Sequence, residues 1–148
     1  MGIRCCCGVA TPSTPQALAT GVNVKFAGYQ GIICGDLRYI ADVCVDTPGS
    51  SLKLVFTERN HGPRSFSFVA NSFNSVICHK DCFNRVVKVS GIGTLVGTSF
   101  QRKFAAVFVD QPESTGFDSV QSFVINGFFM QGSVQVPKGS IIAVGCFK

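Results

Sequence analysis

Residues 52–70, LKLVFTERNHGPRSFSFVA, decide the fold class because apolar and polar side chains alternate on both sides of a turn. Phe66 and Phe68 fall on one face of the second run and Ser67 on the other, which is the period of two of a half-buried strand. Asn, Gly and Pro, the usual turn residues, stand between the two runs at residues 60–63. The stretch therefore predicts two short strands joined by a turn.

Runs of the same character recur along the rest of the chain. They lie at residues 73–78, 83–89, 93–98, 102–109, 119–126, 128–136 and 140–147. Turn residues separate them, and Asn126-Gly127 is the strongest hairpin signal. The composition of 14 Phe and no Trp, together with many Val and Ile, also favours pleated surfaces. We expect one all-β domain over residues 21–148, a β-sandwich or jelly roll.

Residues 32–45 carry a second possible pattern. Ile33, Leu37, Ile40 and Cys44 fit helical spacing, although the residue types also suit a strand. We expect one short helix here, over residues 36–43.

The first 20 residues differ from the rest because they combine Cys5-Cys6-Cys7 with a Pro-containing segment and few large apolar side chains. Proline favours extended backbone and cannot donate a ladder hydrogen bond. We expect a flexible, cysteine-bearing arm over residues 1–20. Adjacent cysteines bond to each other with difficulty, because consecutive Cα atoms are only about 3.8 Å apart. Their expected partners are thiols elsewhere, on the parent domain or on another subunit.

Charge and hydropathy argue against several partners. The net charge of +5 comes from scattered basic residues, of which Arg102-Lys103 is the longest group, so we expect no nucleic-acid partner. No run reaches the ~18 apolar residues of a membrane helix, and we find no secretory signal. We expect synthesis in the cytoplasm without a signal peptide and no membrane partner. Eight cysteines in such a protein require a special explanation, because cytosolic thiols normally stay reduced.

Catalysis and metal binding have little support. The only histidines, His61 and His79, lie in no recognisable nucleophile motif, so we expect no enzyme and no catalytic residue. The segment Cys78-His79-Lys80-Asp81-Cys82 could offer zinc ligands, with Cys34, Cys44 or Cys146 as further contributors. It lacks a second pair at a standard spacing, and a disulfide or free thiols fit it better. We therefore expect no metal and no cofactor.

Several segments carry a resemblance to a known family. They are CGDLRYIAD at 34–42, LVFT at 54–57, FSFVAN at 66–71, Cys78 followed by FNRV at 83–86, VQV at 134–136 and IAVGCFK at 142–148. The chain resembles the cysteine-rich exosporium and outer spore-coat proteins, the family of spore coat proteins Y and Z. The arm with Cys5-Cys6-Cys7 is more similar to endospore appendage fibre subunits, which are jelly rolls that carry an N-terminal Cys-Cys arm.

The resemblance implies a structural protein that assembles with itself, and with other spore-surface proteins as further candidate partners. It also implies a final location on the spore surface, where lysis of the mother cell exposes thiols to oxidation. The candidates for disulfides between subunits are Cys5, Cys6, Cys7, Cys34 and Cys146. The candidates for disulfides within the domain, or for free thiols, are Cys44, Cys78 and Cys82. The two rival hypotheses are a Cys/His zinc-binding module and a viral jelly-roll coat or accessory protein.

Overall fold

A computed structural model describes residues 5–45, 49–111 and 116–145 of the chain. Strands dominate it, and the single helical element is a 3-10 turn at Arg59–His61. The strands are β1 Cys7–Ala10, β2 Ala17–Phe26, β3 Ile33–Cys44, β4 Ser51–Glu58, β5 Phe66–Asp81, β6 Asn84–Leu95, β7 Gln101–Asp110, β8 Asp118–Ile125, β9 Phe129–Gln131, β10 Val134–Val136 and β11 Ile142–Gly145. Nothing in the described ranges is a helix of the length and apolar character needed to cross a membrane.

Strands β2 to β9 form a closed barrel of eight antiparallel strands. Their order around the barrel is β3, β2, β9, β8, β7, β6, β5 and β4, and β4 pairs with β3 again. Each strand therefore pairs with the next one along the chain, and the barrel closes where its first strand, β2, pairs with its last, β9, with Lys25 opposite Met130 and Phe26 opposite Phe129. The all-β prediction is confirmed at 67% strand, but the predicted sandwich or jelly roll is wrong. Inward and outward side chains alternate identically in a sandwich and a barrel, and the pairing of β2 with β9 is what makes this sheet a barrel.

The helix predicted over residues 36–43 is also wrong, because this segment is the middle of β3. Side chains along β3 alternate in burial, with Ile33, Leu37, Tyr39 and Val43 facing the core. A spacing of four residues satisfies both a helix and a strand, which is why Ile33 and Leu37 misled the prediction. The long ladders with β2 and β4 decide in favour of the strand.

The hairpin predicted at Asn126-Gly127 is present between β8 and β9. Gly127 has a φ of 72°, a backbone conformation that glycine adopts without strain. The backbone N–H of Phe128 donates a 3.0 Å hydrogen bond to the carbonyl of Ile125 and closes the turn.

The barrel interior is filled by side chains. The largest fully buried ones are aromatic or aliphatic, among them Tyr39, Phe56, Phe68, Phe108 and Phe123. The Tyr39 hydroxyl donates a hydrogen bond to Oε1 of the buried Gln131, whose Nε2 donates to the carbonyl of Val120 at 3.2 Å. Burial raises the pKa of Tyr39 well above its ordinary value. The barrel is therefore a packed core, and its ends and outer wall are its available surfaces.

The predicted arm differs from the structure in its described part, residues 5–20. These residues contain β1 and the first positions of β2. Strand β1 pairs with β3 on one side and with β11 on the other, and Val9 is fully buried. The backbone N–H of Ala41 also donates to Oγ1 of Thr11 at 2.9 Å. The prolines lie in the short link between β1 and β2, which leaves the hydrogen bonds of both strands intact.

Candidate functional site: the two ends of the barrel

Successive strands run up and down, so the chain turns alternately at two ends of the barrel. We call one end the thiol end; it carries Cys44 at the end of β3, Cys78 near the end of β5, and the turn between β5 and β6. We call the other the aromatic end; it carries Phe26 at the end of β2, Phe66 at the start of β5, and Phe128 in the β8–β9 turn.

Two disulfides fasten the start of the described chain to the thiol end. Cys5 is bonded to Cys44, and Cys7 is bonded to Cys78, with Cα atoms 5.8 Å apart in each pair. Cys5 and Cys7 were predicted to link subunits, and the structure gives them partners inside the chain instead. The cause is the pairing of β1 with β3, which brings residues 5–8 alongside Cys44. The loops closed span 39 and 71 residues, so each bond stabilises the oxidised fold by about 4 kcal/mol.

The other four cysteines are Cys6, Cys34, Cys82 and Cys146. Cys6 is exposed beside the two bonded cysteines of the triplet, and Cys146 lies outside the described residues. Cys34 has a free, half-buried thiol near the start of β3, on the outer wall at the aromatic end. Cys82 has a free, exposed thiol in the turn between β5 and β6. Cys34 and Cys82 therefore lie toward opposite ends of the barrel.

The zinc ligands considered from sequence are not brought together. Cys78 is bonded to Cys7 and has no thiolate to offer. No cluster of three or more His, Cys, Asp or Glu side chains suited to a metal ion occurs within residues 5–45, 49–111 and 116–145. The histidines also lie apart, His61 on the 3-10 turn at the aromatic end and His79 on β5 near the thiol end.

The turn between β5 and β6 exposes Asp81, Cys82 and Phe83, which we call the tip, and Lys80 beside them is exposed too. Phe83 is 81% exposed, more than any other large apolar side chain in the described structure. Cys82 takes a φ of 57°, in the left-handed region that two-residue hairpin turns require. The sequence prediction missed the tip because it counted Phe83 as the first residue of a strand.

The aromatic end contains a hollow of about 350 Å³, which we call the aromatic hollow. Three of its walls are the rings of Phe26, Phe66 and Phe128, which pack edge to face with centroids 5.0 to 5.9 Å apart. A fourth is Tyr29, and the Arg64 guanidinium lies 4.0 Å above the centre of its ring. Phe128, the first residue of the predicted run 128–136, is half-buried and lines this hollow.

Both ends carry charged side chains. Basic side chains gather at the aromatic end, from Lys25, Arg59, Arg64, Arg102 and Lys103. Glu58 lies at this end too, and its carboxylate accepts a hydrogen bond from the backbone N–H of Arg64 at 2.8 Å. At the thiol end, Asp110 and Asp118 accept hydrogen bonds from backbone N–H groups of nearby chain, while Asp81 is exposed at the tip. Exposed Lys80 and Arg85 form the next pair along this hairpin, so both ends carry basic side chains and the outermost turn of the thiol end adds a carboxylate.

No protein-family model, curated protein or solved structure matches this chain. The fold and the two ends define the molecule as a closed eight-stranded antiparallel β-barrel fastened by two disulfides at one end.

Proposed function

We propose that this chain is a non-enzymatic structural subunit of a bacterial spore surface, in a coat or exosporium layer or in an appendage. Copies of the chain assemble first through non-covalent contacts. Disulfides between neighbouring subunits then fix the assembly. The segments that resemble spore coat proteins Y and Z give the cellular setting, and the two ends of the barrel support the mode of action.

The tip is the observation that carries this proposal. A phenylalanine that is 81% exposed leaves a large apolar side chain in water, and its burial is worth about 1.5–3 kcal/mol. An exposed thiol is open to unwanted oxidation, so a surface without a function is expected to lack one. The tip places both on adjacent residues, Cys82 and Phe83, at the turn of a long hairpin. A contact with another molecule would bury the ring and bring the thiol next to a partner surface.

The closed barrel determines which contacts are available for assembly. Strands β2 to β9 pair on both sides, which removes the edges through which open sheets polymerise. Within the described residues, β10 and β11 each pair on one side only, and both are short. Side-chain contacts at the ends of the barrel are therefore a better route to assembly than strand addition.

Cross-linking is a two-electron oxidation. Two thiols on neighbouring subunits each lose one proton and one electron, a sulfur–sulfur bond forms, and dioxygen takes up both hydrogens as hydrogen peroxide. A disulfide requires its Cα atoms within about 4.4–6.8 Å, so other contacts must first hold the subunits together. The bond then adds kinetic resistance, because a linked subunit cannot leave until the bond is broken.

The test is electron microscopy of the purified protein with and without reductant, together with non-reducing gel electrophoresis after exposure to air. We expect ordered particles in reductant that dissociate on heating, and heat-resistant particles with covalent ladders after oxidation. The double variant Cys34→Ser/Cys82→Ser should lose or shorten the ladders, whereas Asn74→Ser on the same hairpin should not change them. A protein that stays monomeric at high concentration under both conditions contradicts the proposal.

A further inference from the structure

We propose that the tip of one copy inserts into the aromatic hollow of the next copy, so that subunits join head to tail. This inference rests on the proposed function, because it takes a second copy of the chain as the partner. It specifies the two surfaces that meet, the tip and the aromatic hollow, and the direction in which the assembly grows.

In the apolar part of the joint, the Phe83 ring of one copy enters the aromatic hollow of the next copy. Phe83 projects from a two-residue turn, flanked by Asp81 and Asn84, which pair with each other at the end of the hairpin. The aromatic hollow is open to solvent at Tyr29, which is 42% exposed, and the rings of Phe26, Phe66 and Phe128 form its other walls. Aromatic rings prefer edge-to-face contacts at centroid separations of about 4.5–7 Å, and the hollow already presents rings in that arrangement.

The polar part of the joint is a single pair, the Asp81 carboxylate with the Arg64 guanidinium; Lys80 and Arg85, also exposed on the hairpin of the tip, are not part of it. Asp81 is exposed and lies two residues from Phe83 on the same turn. At the hollow, Arg64 stacks on Tyr29, and its guanidinium donates no hydrogen bond to any residue in the described part of the chain. A guanidinium stacked on a ring keeps its N–H donors in the plane, where a carboxylate can accept two of them. Insertion of Phe83 would carry Asp81 toward this group.

The free thiols agree with the same orientation. Cys34 is adjacent to Gly35, which pairs with Glu58, and the Glu58 side chain accepts the bond from the Arg64 backbone. Cys34 therefore lies on the wall beside the hollow, and Cys82 is part of the tip. A copy docked by Phe83 would bring its Cys82 toward Cys34 of the next copy, where dioxygen can oxidise the pair as described above.

Because the tip and the hollow lie at opposite ends, each subunit keeps an unused tip and an unused hollow after joining. Such a contact between different surfaces repeats without limit unless the rotation closes a ring. The joint therefore predicts open filaments with a defined direction.

The first experiment measures non-covalent association of the full chain in reductant by sedimentation velocity. We expect Phe83→Ser to weaken self-association about 10- to 100-fold, while Phe117→Ser, at a 56% exposed phenylalanine outside the tip, leaves it within about twofold. Asp81→Arg and Arg64→Asp should each weaken association, and the double variant should recover most of the loss. Equal effects of Phe83→Ser and Phe117→Ser, or no recovery in the double variant, would overturn the joint.

The second experiment tests the direction by mixing two single variants in air. In a head-to-tail joint, Cys34→Ser and Cys82→Ser alone form no Cys34–Cys82 bond, and their mixture forms one, found by peptide mass spectrometry as a linked pair. A tip-to-tip contact would instead give covalent Cys82–Cys82 dimers of Cys34→Ser alone, and that result overturns the joint. Ordered assembly of the wild type together with either negative result would reject the joint and leave the structural function standing. Absence of any assembly rejects both.

Discussion

The thiol end of the barrel and the aromatic end are each stabilised by a different kind of contact. At the thiol end, Cys5–Cys44 and Cys7–Cys78 fasten the N-terminal strand to β3 and β5. At the aromatic end, rings of Phe26, Phe66 and Phe128 pack against one another without any covalent link. A covalent end keeps its geometry when its neighbours change, whereas a packed end can admit a further ring. The first end therefore depends on oxidation, and the second depends on apolar packing alone.

The largest effect should come from removing a disulfide at the thiol end. Cys7→Ala/Cys78→Ala opens a 71-residue loop in the unfolded chain, so we expect a loss of about 4 kcal/mol and a fall in Tm on the order of 10 °C. Thermal unfolding of the oxidised proteins followed by circular dichroism measures it. The control is Cys34→Ser, which removes no intrachain bond and should shift Tm by no more than a degree or two. An unchanged Tm in the double variant would contradict the role given to this end.

A smaller loss of stability should follow from truncating one aromatic side chain at the aromatic end. Phe66→Ala removes a half-buried ring that contacts four others, and we expect it to cost about 2–3 kcal/mol of unfolding free energy. It should also weaken self-association, because the hollow loses a wall. Urea unfolding and sedimentation velocity measure the two effects. Phe66→Leu is the matched control, since it keeps apolar volume and should recover most of the stability but not the ring contacts.

The buried interior between the two ends should show a third, smaller effect on stability. Tyr39→Phe leaves the Gln131 side-chain oxygen without its buried donor, which should cost about 1–2 kcal/mol at neutral pH. Burial raises the pKa of Tyr39, so the folded state keeps the proton at a pH where the unfolded chain has lost it. The stability that Tyr39 contributes is complete below pH 10 and is lost as pH rises above that value. The stability gap between the wild type and Tyr39→Phe should therefore shrink above pH 10 in urea titrations, and a constant gap would contradict this account.

The smallest effect on stability should come from the residues of the proposed joint. Arg64→Ala and Cys82→Ser alter side chains outside the core, so we expect changes within about 0.5 kcal/mol. Their effect should appear in assembly instead, as weaker association for Arg64→Ala and shorter covalent ladders for Cys82→Ser. A loss of stability as large as that of Phe66→Ala would mean that these residues support the fold rather than the contact between copies.

The sequence by itself determined the β character of the chain, because period-two alternation in segments such as 64–70 is a local property. It also determined the Asn126-Gly127 turn, since a positive φ at Gly127 follows from residue type. The pairing of Cys5 and Cys7 with Cys44 and Cys78 could not be read from spacing, because partners 39 and 71 residues away meet only when β1 enters the sheet.

Only the tertiary structure decided that the sheet closes. The contact that closes the barrel joins its first strand, β2, to its last, β9, with Lys25 opposite Met130 and Phe26 opposite Phe129, and the residues of neither strand identify a partner so far away in the chain. Burial in a sandwich and in a barrel imposes the same alternation, so the choice depends on which strands meet in space. The same holds for the two ends: Phe26, Phe66 and Phe128 are far apart in the chain, and closure alone gathers them opposite the tip.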